Sequence, residues 1–76
     1  MRELVEFLAR ELVDDPDSVS VIESQDQRGM LITVRVAPDD MGKVIGRGGR
    51  TAKAIRSVVR AAATRQGVSA HVDIAD

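Results

Sequence analysis

The chain has 76 residues, 43% hydrophobic and 30% charged, which fits one small folded domain and excludes a disordered composition. It holds no Cys, so a disulfide framework and a thiolate metal site are excluded, and no apolar run approaches the roughly 18 residues that a membrane span needs. The formal net charge of −1 hides a split: residues 1–40 carry four arginines against ten acids, whereas residues 41–72 carry Lys43, Arg47, Arg50, Lys53, Arg56, Arg60 and Arg65 and no acid.

The opening Met1-Arg2-Glu3-Leu4-Val5-Glu6 puts acid inside what would be the apolar stretch of a secretory signal, so a cytoplasmic protein with no membrane partner is expected. From about Arg2 to Val13, Met1, Leu4, Val5, Leu8 and Leu12 share one stripe at helical spacing, and Phe7 reads as core; this predicts an amphipathic helix. Asp14-Asp15-Pro16-Asp17 ends it, because proline cannot continue a helix. The three aspartates fit a helix stop better than a cation loop, since the calcium-loop spacing and its closing Glu are absent.

Ser18 to about Gln25 is β-branched-rich and predicts a strand. Asp26-Gln27-Arg28-Gly29 is a turn, and Met30 to Ala37 a second strand whose Ile32, Val34 and Val36 alternate with Leu31, Thr33 and Arg35. The short turn makes the pair a hairpin. Pro38-Asp39-Asp40 opens a short helix whose positive end suits both carboxylates, with Met41, Val44 and Ile45 on its apolar side. After Gly46–Gly49 a longer helix runs from about Arg50 to Gln66, burying Ala52, Ile55, Val58, Val59 and Ala62, and Gly67 caps it. Ser69 to Ile74 closes the chain as a strand, with His71 on its outward phase. The two-helix crossover permits that strand to lie parallel to an earlier one. The order α-β-β-α-α-β thus predicts an α+β two-layer sandwich with a three-stranded mixed sheet.

The segment Val44-Ile45-Gly46-Arg47-Gly48-Gly49-Arg50 carries the chemistry. Gly46 sits where the short helix must stop, and Gly48 and Gly49 leave their amides open to close approach. Gly49 precedes a helix whose free N–H groups and dipole attract an anion. Arg47 and Arg50 bracket the glycines, and Lys43 and Lys53 lie about one turn to either side, so a phosphate there would meet backbone donors and guanidinium groups. A bare G-x-x-G also fits a plain helix–helix turn; the flanking apolar pair and the acid-free basic segment favour an anion site. Thr51 breaks both the dinucleotide and the Walker spacing.

Val44-Ile45-Gly46-Arg47-Gly48-Gly49 resembles the signature of KH domains, whose G-x-x-G loop clamps about four nucleotides of single-stranded backbone. The element order is similar to the bacterial type II KH arrangement, and the whole chain, 1–76, resembles most the small stand-alone bacterial KH proteins of the KhpA type. The resemblance implies a non-catalytic RNA-binding protein, an RNA chaperone or post-transcriptional regulator, that needs no metal and no cofactor. Its RNA-binding set would be Lys43, Ile45, Gly46, Arg47, Gly48, Gly49, Arg50 and Lys53. The implied groove offers Val44, Ile45, Ala52 and Ile55 as apolar lining, with core as the competing reading for Ile55, and Arg35 as a residue facing the bases or simply solvated. Ala52 departs from the large aliphatic residue many KH domains carry there, and Gly48 leaves Arg47 as the one charged side chain inside the loop.

An enzyme needs positioned acids, bases or nucleophiles, and the lone His71 has no such partners in the sequence. With no Tyr or Trp, base recognition by aromatic stacking is weak, so useful affinity calls for a homodimer or a heterodimer with another RNA-binding protein. The acidic first helix and near-zero net charge keep a second reading open, a protein-interaction module built on the same fold. Ala61, Ala62 and Ala63 fit either close packing between protomers or ordinary packing on the sheet.

Overall fold

The computed structural model describes residues 1–76. It contains α1 (Arg2–Leu12), β1 (Ser20–Asp26), β2 (Gly29–Arg35), α2 (Met41–Ile45), α3 (Arg50–Gln66) and β3 (Ala70–Ala75), with short 3-10 turns at Pro16–Ser18, Pro38–Asp40 and Arg47–Gly49. The sheet order is β1-β2-β3. β1 and β2 pair antiparallel through the two-residue connection Gln27-Arg28, and β2 and β3 pair parallel from Met30↔Ala70 to Arg35↔Ala75. The fold is therefore α+β with a three-stranded mixed sheet, in the type II element order that the loop motif implied.

The sheet buries one face. Val21 on β1 and Ile32 and Val34 on β2 are buried, and they meet Val5 and Ala9 of α1, Val44 of α2, and Ile55 and Val59 of α3. Ile32 and Val59 are fully enclosed, and each such side chain contributes on the order of 1.5–3 kcal/mol over its exposed state. The opposite face is left to solvent, so Ile22, in register with Thr33, is 53% exposed.

Packing corrects several sequence expectations. Both strands of the hairpin are displaced: β1 starts at Ser20 because Pro16–Ser18 forms a 3-10 turn, and β2 ends at Arg35, ahead of Pro38. In α1 the buried residues are Val5 and Ala9, while Leu4, Leu12 and above all Phe7, 61% exposed, lie off the sheet-facing stripe. In α3 the inner stripe is Ala52, Ile55, Val59 and Ala63; Val58 is 42% exposed and Ala62 only half-buried. The helix sits close to β3, and the small Ala63 at its end permits that approach. Gly67 caps α3 in left-handed geometry, with the Val68 N–H bonded to Ala63 O and the Gly67 N–H to Thr64 O.

Candidate nucleic-acid interface

The five-residue α2 is too short to hold itself, and the rest of the fold fixes it. Val44 is wholly buried under it. The Asp40 carboxyl, 3% exposed, accepts the backbone N–H of Asp14 at 3.3 Å and of Asp15 at 3.1 Å, where the chain leaves α1. Asp40 makes no side-chain cap to its own helix, so its role as a carboxylate placed for the α2 dipole gives way to a tertiary one. Its buried acceptors satisfy donors of a segment some 25 residues earlier.

At the end of α2, Gly46 has φ 78 and ψ 171, a region open essentially to glycine alone, and its N–H bonds Gly42 O at 2.8 Å. A Cβ at Gly46 would lie 2.2 Å from Thr51 Oγ1 and 2.9 Å from Thr51 N, so the turn packs directly against the first residues of α3. Gly49 (φ 76, ψ 12) is the left-handed residue that leads into α3, and no side chain caps that helix. A Cβ on Gly48 or on Gly49 would meet no atom within 4 Å, so the space in front of this turn is open. Arg47, Gly48 and Arg50 are exposed and Ile45 is 38% exposed.

Ile45 to Arg50 thus form one continuous surface around the turn, and Lys53 extends it one turn along α3, exposed. Neither Arg47, Arg50 nor Lys53 is in an ion pair. Lys43 differs: its Nζ lies 3.1 Å from Asp14 Oδ2 and 3.9 Å from Asp40 Oδ1. The hydrogen bond to Asp14 and then its charge hold the ammonium above its ordinary pKa against desolvation, with lesser help from the charges of Asp40 and Asp39.

Of the expected apolar lining, Ile45 alone is presented. Val44, Ala52 and Ile55 are buried, Val44 and Ile55 in the same core cluster as the sheet residues Ile32 and Val34. Arg35 is not brought to the loop. It alternates with the buried Val34 and Val36, so it lies on the open face of the sheet, and its Nη1 donates to the Asp76 carbonyl oxygen at 3.1 Å. Asp40 is the contributor the sequence did not mark, since its partners are distant in the chain. No helix is long and apolar enough to cross a membrane, and no group of three His, Asp or Glu side chains is arranged to hold a metal ion.

Comparison with known proteins gives a consistent result. Residues 2–74 match the family model described as "KhpA/KhpB, KH domain". The chain is 57% identical over 76 residues to the RNA-binding protein KhpA of Halalkalibacterium halodurans, covering 100% of both chains. It is 49% identical over 74 residues to the RNA-binding protein KhpA of Clostridium perfringens, covering 97% of this chain and 99% of that one. It is 47% identical over 76 residues to the RNA-binding protein KhpA of Streptomyces coelicolor, covering 100% and 92% respectively.

Proposed function

This chain belongs to the KhpA/KhpB KH-domain family, and from that premise we propose that it is a non-catalytic RNA-binding protein that clamps single-stranded RNA by its backbone at Gly46–Gly49. The observation that carries this reading is the turn itself: open space before Gly48 and Gly49, at the uncapped start of α3, with the unpaired Arg47 and Arg50 on either side. Backbone N–H groups and guanidinium groups converge there on what a phosphate offers, acceptor oxygens and negative charge. Ile45 supplies apolar contact for a base, and Lys53 a second charge along the strand. The relatives named RNA-binding protein KhpA support the same ligand class.

The site grips more than it reads. Phe7, the one Phe, Tyr or Trp of the chain, lies on α1 rather than at the loop, so the interface has little with which to discriminate bases. Broad, phosphate-led binding suits an RNA chaperone or post-transcriptional regulator serving many transcripts in the cytoplasm. A specific observation favours a protein partner besides RNA. Leu8 and Leu12 of α1 and Ala54 and Val58 of α3 line an apolar hollow of about 230 Å³ on the flank away from β3. Homodimerisation, or pairing with another RNA-binding protein, through this flank would join two weak RNA sites at high effective concentration.

The test is binding of a single-stranded oligoribonucleotide across a salt series. The double substitution Arg47→Asp/Gly48→Asp is suited to it, because Gly48 at φ 64 and ψ 19 occupies the left-handed region that aspartate tolerates. A folded double variant should lose binding; wild-type affinity in that variant would refute the clamp.

A further inference from the structure

α3 has two unlike flanks. Arg56 and Arg60 make the one beside β3 basic. The one beside α1 is mostly apolar and carries two hollows that share Val58. The first, of about 230 Å³, lies among Leu8, Glu11, Leu12, Thr51 and Ala54. The second, of about 300 Å³, lies among Leu4, Ala61, Ala62 and Arg65. The end of α1 therefore sits beside the start of α3, and the start of α1 beside the end of α3. Large apolar side chains are exposed on both helices, Leu4, Phe7 and Leu12 on α1 and Val58 on α3. Phe7 follows Leu4 by one helical turn and precedes Glu11 by another, so it extends the same surface.

This flank carries opposite charges at its two ends. Glu11 borders only the first hollow and Arg65 only the second, with Val58 between them. Both are exposed, and neither is in an ion pair within the chain. A two-fold axis through Val58, perpendicular to α3, lays the flank on itself with the Glu11 end against the Arg65 end. Each contact then occurs twice, as a contact between identical patches requires. An axis along α3 would set Glu11 on Glu11 and Arg65 on Arg65, so charge selects the antiparallel arrangement. The dipoles of the two α3 helices favour it as well. Ala54 and Ala61, exposed on either side of Val58, are small enough to let the helices approach.

We propose that two copies of this chain pair about that axis, Glu11 of each against the partner's Arg65, and that the pair is a ruler: it holds two glycine turns about 30 Å apart for an RNA that presents two single-stranded segments at that spacing. The inference rests on the RNA-clamp reading above and gives its apolar flank an occupant, a register and a ligand geometry. The distance follows from the helix. From Gly49 to Val58 α3 rises about 13 Å, so the two turns lie about 27 Å apart along antiparallel helices, and slightly farther once the axes stand about 8–10 Å apart. One turn grips only about four nucleotides and has little with which to read bases. Discrimination among RNAs therefore passes to the spacing of the gripped segments. A linker too short to span the turns leaves one of them empty, and a matched linker gains the most. Exposed ion pairs add little affinity, so Glu11 and Arg65 act by fixing the register and rejecting the reversed orientation.

The experiment measures sedimentation and RNA binding on the full chain. Glu11→Arg and Arg65→Glu should each weaken self-pairing about tenfold, because like charges then meet at both ends of the contact. An equimolar mixture of the two variants should pair as tightly as wild type, since each supplies the charge the other lacks. Both positions are exposed, so both variants should keep the wild-type melting temperature at low concentration. The RNA ligands are two segments of about four nucleotides joined by an uncharged spacer that reaches about 10, about 30 or about 60 Å. The spacer of about 30 Å should bind wild type about a hundredfold tighter than one segment alone, the shortest should gain nothing, and the longest should fall between. That gain should shrink in either variant and return in the mixture. A wild-type monomer at tens of micromolar overturns the proposal. So does self-pairing that ignores both charge reversals, a mixture that pairs no better than its components, or an affinity that does not depend on the spacer. The clamp is judged separately: a single segment that wild type does not bind sinks the clamp reading, whereas a single segment that binds, with no preferred spacing for two, sinks this proposal alone.

Discussion

Lys43 and Asp14 form an ion pair, Nζ to Oδ2 3.1 Å, that ties the basic approach to the glycine turn to the acidic end of α1. The pair sets one arm of the RNA site against the protein's own carboxylate. A phosphate that recruits Lys43 must displace Asp14, which is 80% exposed and free to swing away. Asp14→Asn should therefore raise RNA affinity several-fold and steepen the salt slope by about 0.7, the signature of one added phosphate contact on a single strand. Lys43→Gln in the same background should abolish both gains. Unchanged affinity and slope in Asp14→Asn would remove Lys43 from the interface. The pH dependence has a definite sign. The folded-state pKa of Lys43 is raised above 10.5, so whatever stability the pair contributes is complete at lower pH and is lost only as pH climbs through that raised value. Between neutrality and pH 9 a titration of stability should show no step removed by Lys43→Gln.

Thr51 leaves no room for a side chain at Gly46. Gly46→Ala would place a methyl group against Thr51 Oγ1, Cβ and N while holding alanine at φ 78, ψ 171. Backbone strain of this kind costs about 1–3 kcal/mol before the clash is added. For a chain of this size that lowers the melting temperature by roughly 10 °C or more. Thr51→Ala removes the hydroxyl but leaves the Cβ and the backbone N in place, so it should rescue little of the loss. Gly48, at φ 64 and ψ 19 with open space before it, is the contrasting position: Gly48→Asn should melt within a few degrees of wild type.

Asp39 and Asp40 are adjacent and chemically identical, yet they should behave oppositely. Asp40→Ala strips the acceptors from the N–H groups of Asp14 and Asp15 at a part-buried site. The cost is about 1–3 kcal/mol, and α2 loses its tie to α1. Asp39 is exposed and accepts no hydrogen bond, so Asp39→Ala should change stability by about 0.5 kcal/mol or less. Denaturant melts of the two variants measure the contrast, and equal effects would show that the carboxyl does not anchor the turn.

The contrast between these two aspartates also shows which features the sequence disclosed. The elements were legible because their signals are local: a 3.6-residue period in α3, a two-residue hairpin connection, Gly67 at a helix end. The turn was legible because Gly46, Gly48, Gly49, Arg47 and Arg50 are contiguous. Asp40 was not, since its carboxyl answers donors about 25 residues away and its neighbours suggested a dipole effect instead. Helical spacing in α3 put Ala52, Ile55, Val58, Val59 and Ala62 on one face; the structure buries Ala52, Ile55 and Val59 of these, and its inner stripe runs on through the small Ala63 rather than through Val58 and Ala62. Phe7 misled for a related reason. Size and apolarity argue for burial, but the sheet covers only the narrow stripe of Val5 and Ala9.

The residues left outside by that narrow stripe are the basis of the last expectation. Leu4, Leu12 and Val58 are 36–42% exposed along the α1–α3 flank, and the last two border a mostly apolar hollow that Glu11 and Thr51 also line. A charge at the centre of this flank disfavours any apolar contact there, because a partner would have to desolvate it. Val58→Glu should therefore shift sedimentation toward the monomer. Its melting temperature at low concentration should stay close to wild type, since Val58 takes no part in the enclosed core. RNA binding by a short strand should survive, because Val58 faces away from the basic flank of α3. Binding of an RNA carrying two separated single-stranded segments should fall more steeply, by the effective concentration that pairing had supplied. A wild-type protein that is already monomeric at tens of micromolar would direct the flank to a different protein partner, and the same variant would then be the control for capturing it.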